Sequence, residues 1–332
     1  MITPHYVVGG GSLLLIALSW FWSHHALVFL VINLSLILSP VFWPTEWFVL
    51  STTSASSSRG ASGVAAELSK EQDVPLSEEE TQAVVAAKRI VAKERAKFLA
   101  QNGGFVPMAS DAVQKFLGEA VIMFEKNLNC DFTSENKTWI SQYKNDKREI
   151  EIFCAEFPGH ACKRWKIIAV LQTDLETAYE AIFVPEKRRK WDALVKDIQL
   201  LQIRDCSPQL GDGLAITSIV TNPVLMVSSR SMLDLALQRC LKRGGIILAN
   251  VSCPPEFEEA KIDPGLHGSV RAITHIGSGV SIKSIPGRPG YLEYIMISTI
   301  ELNGWLPPGV VNATMTTSLA QSTEQMQDFF KS

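Results

Sequence analysis

Residues Tyr291–Asn312, with the sequence YLEYIMISTIELNGWLPPGVVN, decide the fold of this chain. The first part, Tyr291–Leu302, is rich in Ile, Tyr and Thr and contains neither Gly nor Pro, which predicts a long β-strand. Asn303-Gly304 predicts a turn, and a Pro-rich connector then leads into Val310–Lys331, whose apolar residues recur at roughly helical spacing. A long strand that turns directly into a long helix predicts a helix laid across the mouth of a curved sheet.

Composition excludes several classes of protein. The 332 residues carry a net charge of -3 and a pI near 6.1, so the chain lacks the basic field that nucleic-acid binding requires. The cysteines are scattered along the chain: Cys130, Cys154, Cys162, Cys206, Cys240 and Cys253. Because no two form a C-x-x-C pair, a disulfide-dense secreted scaffold and a cysteine zinc site are not expected, and we predict reduced, mostly buried thiols facing the cytosol.

The N-terminal segment carries the excess apolar character that raises the mean hydropathy to +0.12. Met1–Thr45 contains no Asp, Glu, Lys or Arg, and Tyr6–Trp22 and Ala26–Trp43 are almost wholly apolar. As helices these segments would be about 27 Å long, just enough to cross a hydrocarbon core. We therefore predict a membrane anchor in residues 1–48, either a helical hairpin of two spans or one span with an interfacial remainder. A cleaved signal peptide is disfavoured, because the basic n-region is missing and the apolar run is too long.

A linker and a helix follow the predicted anchor. Residues 49–76 include the Ser/Gly/Ala-rich stretch Ser51–Gly63, which predicts a flexible linker. Ser77 and Glu80 have the spacing of a capping box, so an amphipathic spacer helix is predicted for residues 77–101, ended by Asn102-Gly103-Gly104. We expect this helix to be a solvated stalk, with recruitment of a protein partner or self-association as the alternative.

The remaining chain, residues 109–332, is predicted to be one α+β domain. A helix begins at Ser110-Asp111, and strands are predicted at 137–143, 149–157 and 165–173, followed by helical segments at 174–183 and from 185. Further strands are predicted at 198–204, 213–220, 232–242, 245–252 and 269–276, before the last strand and helix. This order predicts a long antiparallel sheet held between its terminal helices, a helix-grip architecture.

An ordered set of short motifs makes the segment from Ser110 to Lys331 resemble a START domain, the steroidogenic acute regulatory protein-related lipid transfer fold. The matching motifs are Trp165 at the start of a strand, Lys190-Trp191-Asp192, Asp234–Arg239, Val270-Arg271-Ala272, Glu301–Pro307 and Val310-Val311-Asn312. The resemblance implies an internal tunnel that takes up one lipid, with a mouth closed by the last helix and neighbouring loops. The predicted sheet supports a ligand site independently of the resemblance, because the inner face of a large curved sheet must be covered by side chains or by a bound ligand.

Candidate lipid contacts follow from the predicted strands, loops and last helix. They are Val224, Leu225, Met226, Leu235, Leu237, Arg239, Arg271, His275, Trp305, Val311, Met315 and Leu319. The apolar segment 223–227 joins two strands where a polar turn is usual, so it is either buried against its own domain or a mobile lid. Val311, Met315 and Leu319 share a helix face and are either tunnel lining or plain core.

Arg239 is the most informative charge, because it shares a strand face with Leu235 and Leu237. A guanidinium among apolar side chains needs a partner. In cholesterol-type members of the family, an acidic residue on the preceding strand region pairs with the matching arginine. Ile216–Asn222 has no carboxylate, which leaves Arg239 for an anionic or polar lipid headgroup, or bonded only to backbone or to Asp234.

No enzyme signature stands in the sequence: G-x-S-x-G, H-E-x-x-H and the P-loop are all missing. We therefore predict no catalytic residues, no cofactor and no metal. The expected function is that of a membrane-anchored protein that moves a sterol, phospholipid or ceramide between nearby membranes, anchored in the endoplasmic reticulum or endosome with its domain in the cytosol. The alternatives are a ligand-gated lipid sensor or scaffold, and a regulator of acyl-thioester hydrolysis.

Overall fold

The computed structural model describes residues 76–129, 139–224, 227–262, 268–304 and 306–332. The predicted membrane anchor and most of the predicted linker lie outside these residues and stay predictions. Within the described ranges, no helix has both the length and the apolar character needed to cross a membrane. All described residues belong to one compact unit.

The helices begin and end close to their predicted positions. They are α1 (Glu78–Asn102), α2 (Asp111–Asn129), α3 (Leu175–Phe183), α4 (Pro185–Trp191) and α5 (Pro308–Phe329), with a 3₁₀-helix at Glu258–Ile262. The capping box of α1 is confirmed, since Ser77 Oγ accepts from the Glu80 amide while Glu80 Oε2 accepts from the Ser77 amide. Gly103 ends the helix in the left-handed conformation, as the sequence predicts.

In the part of the chain that the structure describes, twelve strands form one large sheet and one small sheet. They are β1 (Ile140–Asn145), β2 (Ile150–Glu156), β3 (Lys163–Gln172), β4 (Val195–Arg204), β5 (Gly213–Thr221), β6 (Arg230–Cys240), β7 (Ile246–Ser252), β8 (Val270–Arg271), β9 (Ile273–Thr274), β10 (Ser278–Ser284), β11 (Tyr291–Ser298) and β12 (Ile300–Glu301). The large sheet has the antiparallel order β1-β2-β3-β11-β10-β7-β6-β5-β4, with β8 parallel to one end of β6. β9 and β12 form the small antiparallel sheet.

Helices cover the two faces of the large sheet, which confirms the α+β helix-grip architecture. On one face, here called the sealed face, α2 packs through Leu117, Val121 and Phe124 against leucines of β5 and β6. Lys166 of β3 is also buried on this face, where its Nζ donates to the carbonyl oxygens of Asn127 and Leu128 at the C-terminal end of α2. The opposite face, here called the cavity face, lies under α5.

The strand β10 is absent from the sequence prediction, which has no strand between residue 276 and the last strand at Tyr291. β10 lies in the middle of the sheet, between β11 and β7. Its sequence SGVSIKS has few of the bulky β-branched residues that identify a strand. Gly279 is required there, because a Cβ atom would lie 2.4 Å from the Leu248 carbonyl oxygen and 2.9 Å from the Phe124 ring. This glycine marks a close approach between the sheet and α2.

The predicted solvated stalk at residues 77–101 is wrong. α1 packs against the domain, with Ala87, Ile90 and Val91 buried in the same cluster as the cavity face. Lys93 pairs with Glu176 and Glu180 of α3, which holds the outer side of the helix to the domain. The stripe of small and branched apolar residues was too narrow to distinguish from a free helix by its pattern alone.

The cysteines of the described residues are all free thiols, in keeping with the predicted reduced state. Cys154, Cys206 and Cys253 are buried, while Cys162 and Cys240 are half-buried. Cys130 lies outside the described residues. These thiols behave as small apolar side chains of the interior.

Candidate functional site

A cavity of about 250 Å³ lies between α5 and the cavity face of the sheet. Protein interiors are close-packed, and deletion of a large core side chain leaves a void of only about 150 Å³. α5 contributes Val311, Met315, Leu319 and Met326 to the wall, which recur on one helix face as the sequence predicts. The space is therefore a feature of the fold and exceeds an ordinary packing defect.

Apolar side chains from the sheet form the opposite wall. Ile219 of β5, Met232 of β6 and Met296 of β11 border the space. Val224 and Val227, which exchange backbone hydrogen bonds of 3.0 and 2.9 Å in the connection between β5 and β6, close one side. Methionines supply flexible, polarisable surface that adapts to different apolar ligands.

A buried carboxyl group, Asp234 of β6, faces the cavity. Its side chain is only 5% exposed and accepts from the Ser252 hydroxyl at 3.0 Å and from the Thr274 hydroxyl at 2.9 Å. Burial raises the pKa of Asp234, and the two hydroxyl donors offset part of that rise. Asp234 thus brings a polar group with a reduced tendency to ionise into an apolar wall.

Arg230, at the start of β6, also borders the cavity and is only 3% exposed. Its guanidinium donates to the carbonyl oxygens of Ser228, Leu302 and Asn303 and to the Ser228 hydroxyl. Burial lowers the pKa of Arg230. Its partners are carbonyl oxygens and a hydroxyl, so neutral dipoles surround its charge. Those contacts fix the turn between β12 and α5 to the sheet.

Asn250 of β7 is another polar residue of the cavity wall. Its Oδ1 atom is buried and accepts no hydrogen bond from any described residue. A buried acceptor without a donor costs about 1–3 kcal/mol, so an unsatisfied acceptor beside an internal space calls for an explanation. A hydroxyl or amide of a bound molecule would satisfy it.

The Lys190-Trp191-Asp192 motif joins the cavity wall to α5. Asp192 is buried, accepts from Arg188 Nε at 3.1 Å, and accepts from the Ser322 hydroxyl of α5 at 3.4 Å. The Trp191 indole donates to the Ala181 carbonyl oxygen at 2.8 Å, which holds α4 against α3. This motif therefore positions α5 over the cavity.

The structure places some of the predicted lipid contacts in the cavity and others elsewhere. Val224, Val311, Met315 and Leu319 line it. Leu225, Met226 and Trp305 lie outside the described residues, and their role stays a prediction.

The assignment of Leu235, Leu237 and Arg239 to the lining is wrong. Alternation along β6 directs the even-numbered Met232 and Asp234 to the cavity and the odd-numbered leucines to the sealed face under α2. Arg239 follows the leucines and donates to Glu125 of α2 at 2.7 Å. The missing carboxylate partner of Arg239 is therefore on a helix and not on the preceding strand.

Arg271 and His275 also lie away from the cavity. They border a separate open depression of about 980 Å³, together with Phe116, Phe157 and Cys253. Sequence reasoning missed Arg230, Asp234 and Asn250 as cavity groups, although Asp234 belongs to one of the matching motifs. The signal that would have found them is a polar residue inside an otherwise apolar strand, on the face opposite to Leu235.

Comparisons with known proteins agree with this architecture. The family model of the START domain matches residues 124–332, more than half of the chain. Bovine steroidogenic acute regulatory protein, a mitochondrial protein, is 26% identical over 157 residues, which cover 46% of this chain and 50% of that protein. Mouse StAR-related lipid transfer protein 5 is 24% identical over 174 residues, covering 52% of this chain and 76% of that protein. The chain thus spans about half the length of the first of these relatives.

Solved structures show the same fold. Human StAR-related lipid transfer protein 5 superposes with a TM-score of 0.53 at 20% identity, over 66% of this chain and 98% of that chain. The match of the family model, supported by this shared architecture, identifies the chain as a member of the START domain family.

Proposed function

We propose that the protein binds one lipid molecule in the cavity between α5 and the sheet. The cavity itself carries this proposal: it lies between α5 and the sheet, is mostly apolar, and is bordered by several buried polar groups. Burial of the lipid's apolar body would supply most of the affinity, at roughly 25 cal/mol for each Å² of apolar surface removed from water. Membership of the START family and the lipid transfer named in the mouse and human relatives support the same function.

The polar groups of the wall favour a lipid with an uncharged, hydrogen-bonding head. A phosphate would need a cation with free donors. Arg230 already donates to three carbonyl oxygens and a hydroxyl, and Arg188 pairs with Asp192. Asn250 Oδ1 offers a vacant acceptor, and Asp234, a buried carboxyl whose pKa is raised by burial, supplies no positive charge for a phosphate. Among the three candidate classes, we therefore favour a sterol or a ceramide, whose hydroxyl or amide groups fit these partners, over a phospholipid.

We further propose that the protein transfers this lipid between closely apposed membranes without a catalytic step. Residues 1–48 would anchor it in an endoplasmic reticulum or endosomal membrane, with the START domain in the cytosol. Because α1 packs on the domain, the reach comes from residues 49–76, whose end-to-end distance as a flexible chain is on the order of 30 Å. Such a tether raises the effective concentration of the domain at a nearby acceptor membrane.

A ligand-gated sensor or scaffold is the alternative. The predicted partner surface on α1 is smaller than the sequence indicated, because Ala87, Ile90 and Val91 are buried against the domain. Val85 remains 63% exposed and is the residue of α1 to substitute in a partner-binding test. No described feature of the cavity supports the second alternative, regulation of an acyl-thioester hydrolase.

The test is to incubate the purified full-length chain with liposomes of phosphatidylcholine, cholesterol and ceramide, re-isolate it, and identify the extracted lipids by mass spectrometry. We expect about one cholesterol or ceramide per chain. Bound phosphatidylcholine would overturn the choice of headgroup but leave lipid binding intact. A folded chain without any lipid would overturn the proposed function and favour the scaffold. Transfer is then measured with a fluorescent sterol moving from donor to acceptor liposomes.

A further inference from the structure

Three side chains from distant parts of the sequence meet beside the small sheet of β9 and β12. They are His160, in the connection between β2 and β3, His275, directly after β9, and Glu301, at the end of β12. One nitrogen or oxygen atom of each lies within 4.8 Å of the others, and His275 Nε2 is 3.1 Å from Glu301 Oε2. We propose that His160, His275 and Glu301 form a binding site for a divalent transition metal, with Zn²⁺ the ion that suits them best.

The chemistry of the three side chains fits zinc. Imidazole nitrogen and carboxylate oxygen are two of its usual ligand types, and two histidines with one glutamate are a recurrent set that leaves the fourth position for water. Magnesium and calcium prefer sites made of oxygen alone, so the two imidazoles argue against them.

The distances require only a small adjustment. In a tetrahedral zinc site, ligand atoms about 2.0–2.1 Å from the metal lie about 3.3 Å from one another. The pair His275 and Glu301 already has this separation, at 3.1 Å. The remaining closure, of at most about 1.5 Å, falls on His160, which is the most exposed of the three side chains and would close it by a change of its χ angles.

The backbone of His160 is held by a tight turn. The His160 amide donates to the Phe157 carbonyl oxygen at 3.0 Å across Pro158-Gly159, and Gly159 has a φ of 83°. Proline followed by glycine with positive φ is the sequence of a type II turn, which needs little extra ordering on ligand binding. The Phe157 ring stacks on the His160 imidazole at 4.1 Å with an interplanar angle of 8°. The ligand therefore stands on a fixed backbone with a ring partner.

His275 and Glu301 are held by the small sheet. The His275 amide donates to the Thr299 carbonyl oxygen at 2.8 Å, and Glu301 is paired with Ile273 in the β9–β12 ladder. The His160 and His275 rings lie 4.4 Å apart in an edge-to-face arrangement. Two ligands thus come from the small sheet and the residue that directly follows β9, and the third comes from a tight turn, so the backbone of each ligand is held by hydrogen bonds.

Zinc at this site would connect the β2–β3 turn to two strands whose neighbouring residues border the cavity. Thr274 precedes His275 and donates to Asp234, while Ile300 and Leu302 flank Glu301 in the cavity wall. Metal binding would therefore stabilise one side of the cavity. The metal site does not depend on the proposed lipid binding, and its test uses no lipid.

The experiment measures Zn²⁺ binding to the purified full-length chain by competition with a chromophoric chelator, under reducing conditions. The background variant is His24→Gln/His25→Gln, which removes the adjacent N-terminal histidines as a second source of binding. We expect this chain to bind one more Zn²⁺ than its His160→Gln, His275→Gln and Glu301→Gln derivatives, or to bind it at least about tenfold more tightly. Zn²⁺ should also raise the melting temperature of the background chain more than that of His160→Gln.

The matched control is Glu119→Gln, which removes an exposed glutamate of α2 outside the three-residue cluster and should leave binding unchanged. His160→Gln is the decisive variant, because an exposed side chain can be replaced without loss of folding. Equal zinc stoichiometry and affinity in the background chain and in His160→Gln would overturn the proposal, leaving the cluster as an imidazole–carboxylate hydrogen bond. An equal loss in Glu119→Gln would overturn it too, because binding would then follow surface charge in general.

Discussion

The two faces of the same strand, β6, are packed in different ways. On the sealed face, Leu233, Leu235 and Leu237 are fully buried and belong to the same apolar cluster as the side chains of α2. On the cavity face, Met232 and Asp234 border an internal space of about 250 Å³, although both are also hidden from solvent. Burial alone therefore does not distinguish a structural residue from a candidate ligand contact. The difference lies in whether a neighbouring side chain fills the adjoining volume.

This difference separates stability from function within one sheet. Close packing on the sealed face stabilises the fold through the contacts of each buried methylene group. Side chains on the cavity face make fewer such contacts, because the adjoining volume is left for a ligand. The polar groups follow the same division. Arg239 on the sealed side of the strand is paired with Glu125, whereas Asn250 on the cavity side keeps a vacant acceptor.

The largest expected effect is the loss of stability on replacing a leucine of the sealed face. Leu235→Ala should lower the free energy of unfolding by about 2–5 kcal/mol, because it removes apolar contacts and opens a new void. Met232→Ala, on the cavity face, should cost at least about 1 kcal/mol less, since its neighbours already border empty volume. Urea unfolding of both variants measures the difference. Equal losses would mean that the two faces are packed alike.

The next effect concerns the pH dependence of stability and comes from Asp234. Burial holds the native pKa of this carboxyl above its unfolded value, so the folded state binds a proton more readily than the unfolded state. As pH rises from the unfolded pKa near 4 through the native pKa, Asp234 should therefore reduce stability, by about 1.4 kcal/mol for each pH unit that separates the two pKa values.

Asp234→Asn removes this titration. Its melting temperature should therefore come closest to that of wild type, or exceed it, at neutral pH. Melting temperatures of the two proteins between pH 4 and pH 8 measure the effect, and the advantage of wild type should grow towards the acidic end. Glu119→Gln, an exposed carboxylate of α2, serves as the control and should show no such trend. The opposite trend, with wild type gaining over Asp234→Asn as pH rises, would show that the two hydroxyl donors outweigh burial.

The smallest expected effect is the loss of stability on replacing Arg239, the residue that the sequence indicated as a headgroup contact. Arg239→Met should cost at most about 1 kcal/mol, because a partly exposed ion pair contributes little, and it should leave lipid binding unchanged. Arg230→Met, at the other end of the same strand, removes bonds to three carbonyl oxygens and should cost several times more. Loss of lipid binding in Arg239→Met, with the fold intact, would contradict the assignment of faces.

Much of the fold could be predicted from the sequence, because local patterns specify it. The capping box at Ser77, the order of strands and helices, and the apolar stripe Val311, Met315 and Leu319 each follow from neighbouring residues. β10 could not be recognised, since its glycine and serines are dictated by the approach of Phe124 from another part of the chain. The same holds for α1, whose packing depends on partners in α3.

The candidate site was less predictable, for a reason that β6 makes plain. Both faces of this strand are buried, and only Asp234 interrupts the apolar run from Met232 to Leu237, so alternation gives no indication of which face borders the cavity. Leu235 and Leu237 were therefore assigned to the wrong side together with Arg239. The His160, His275 and Glu301 cluster could not be found by spacing either, because tertiary folding brings its members together from three segments.

The central claim is that a lipid occupies the space on the cavity face, and a blocked cavity tests it most directly. Ser318→Trp places an indole into the cavity from α5, while Gln321→Trp puts the same side chain on the exposed side of that helix. After incubation with the mixed liposomes, we predict about one lipid per chain for wild type and Gln321→Trp, and none for a still-folded Ser318→Trp. Equal lipid content in the two tryptophan variants would contradict the account.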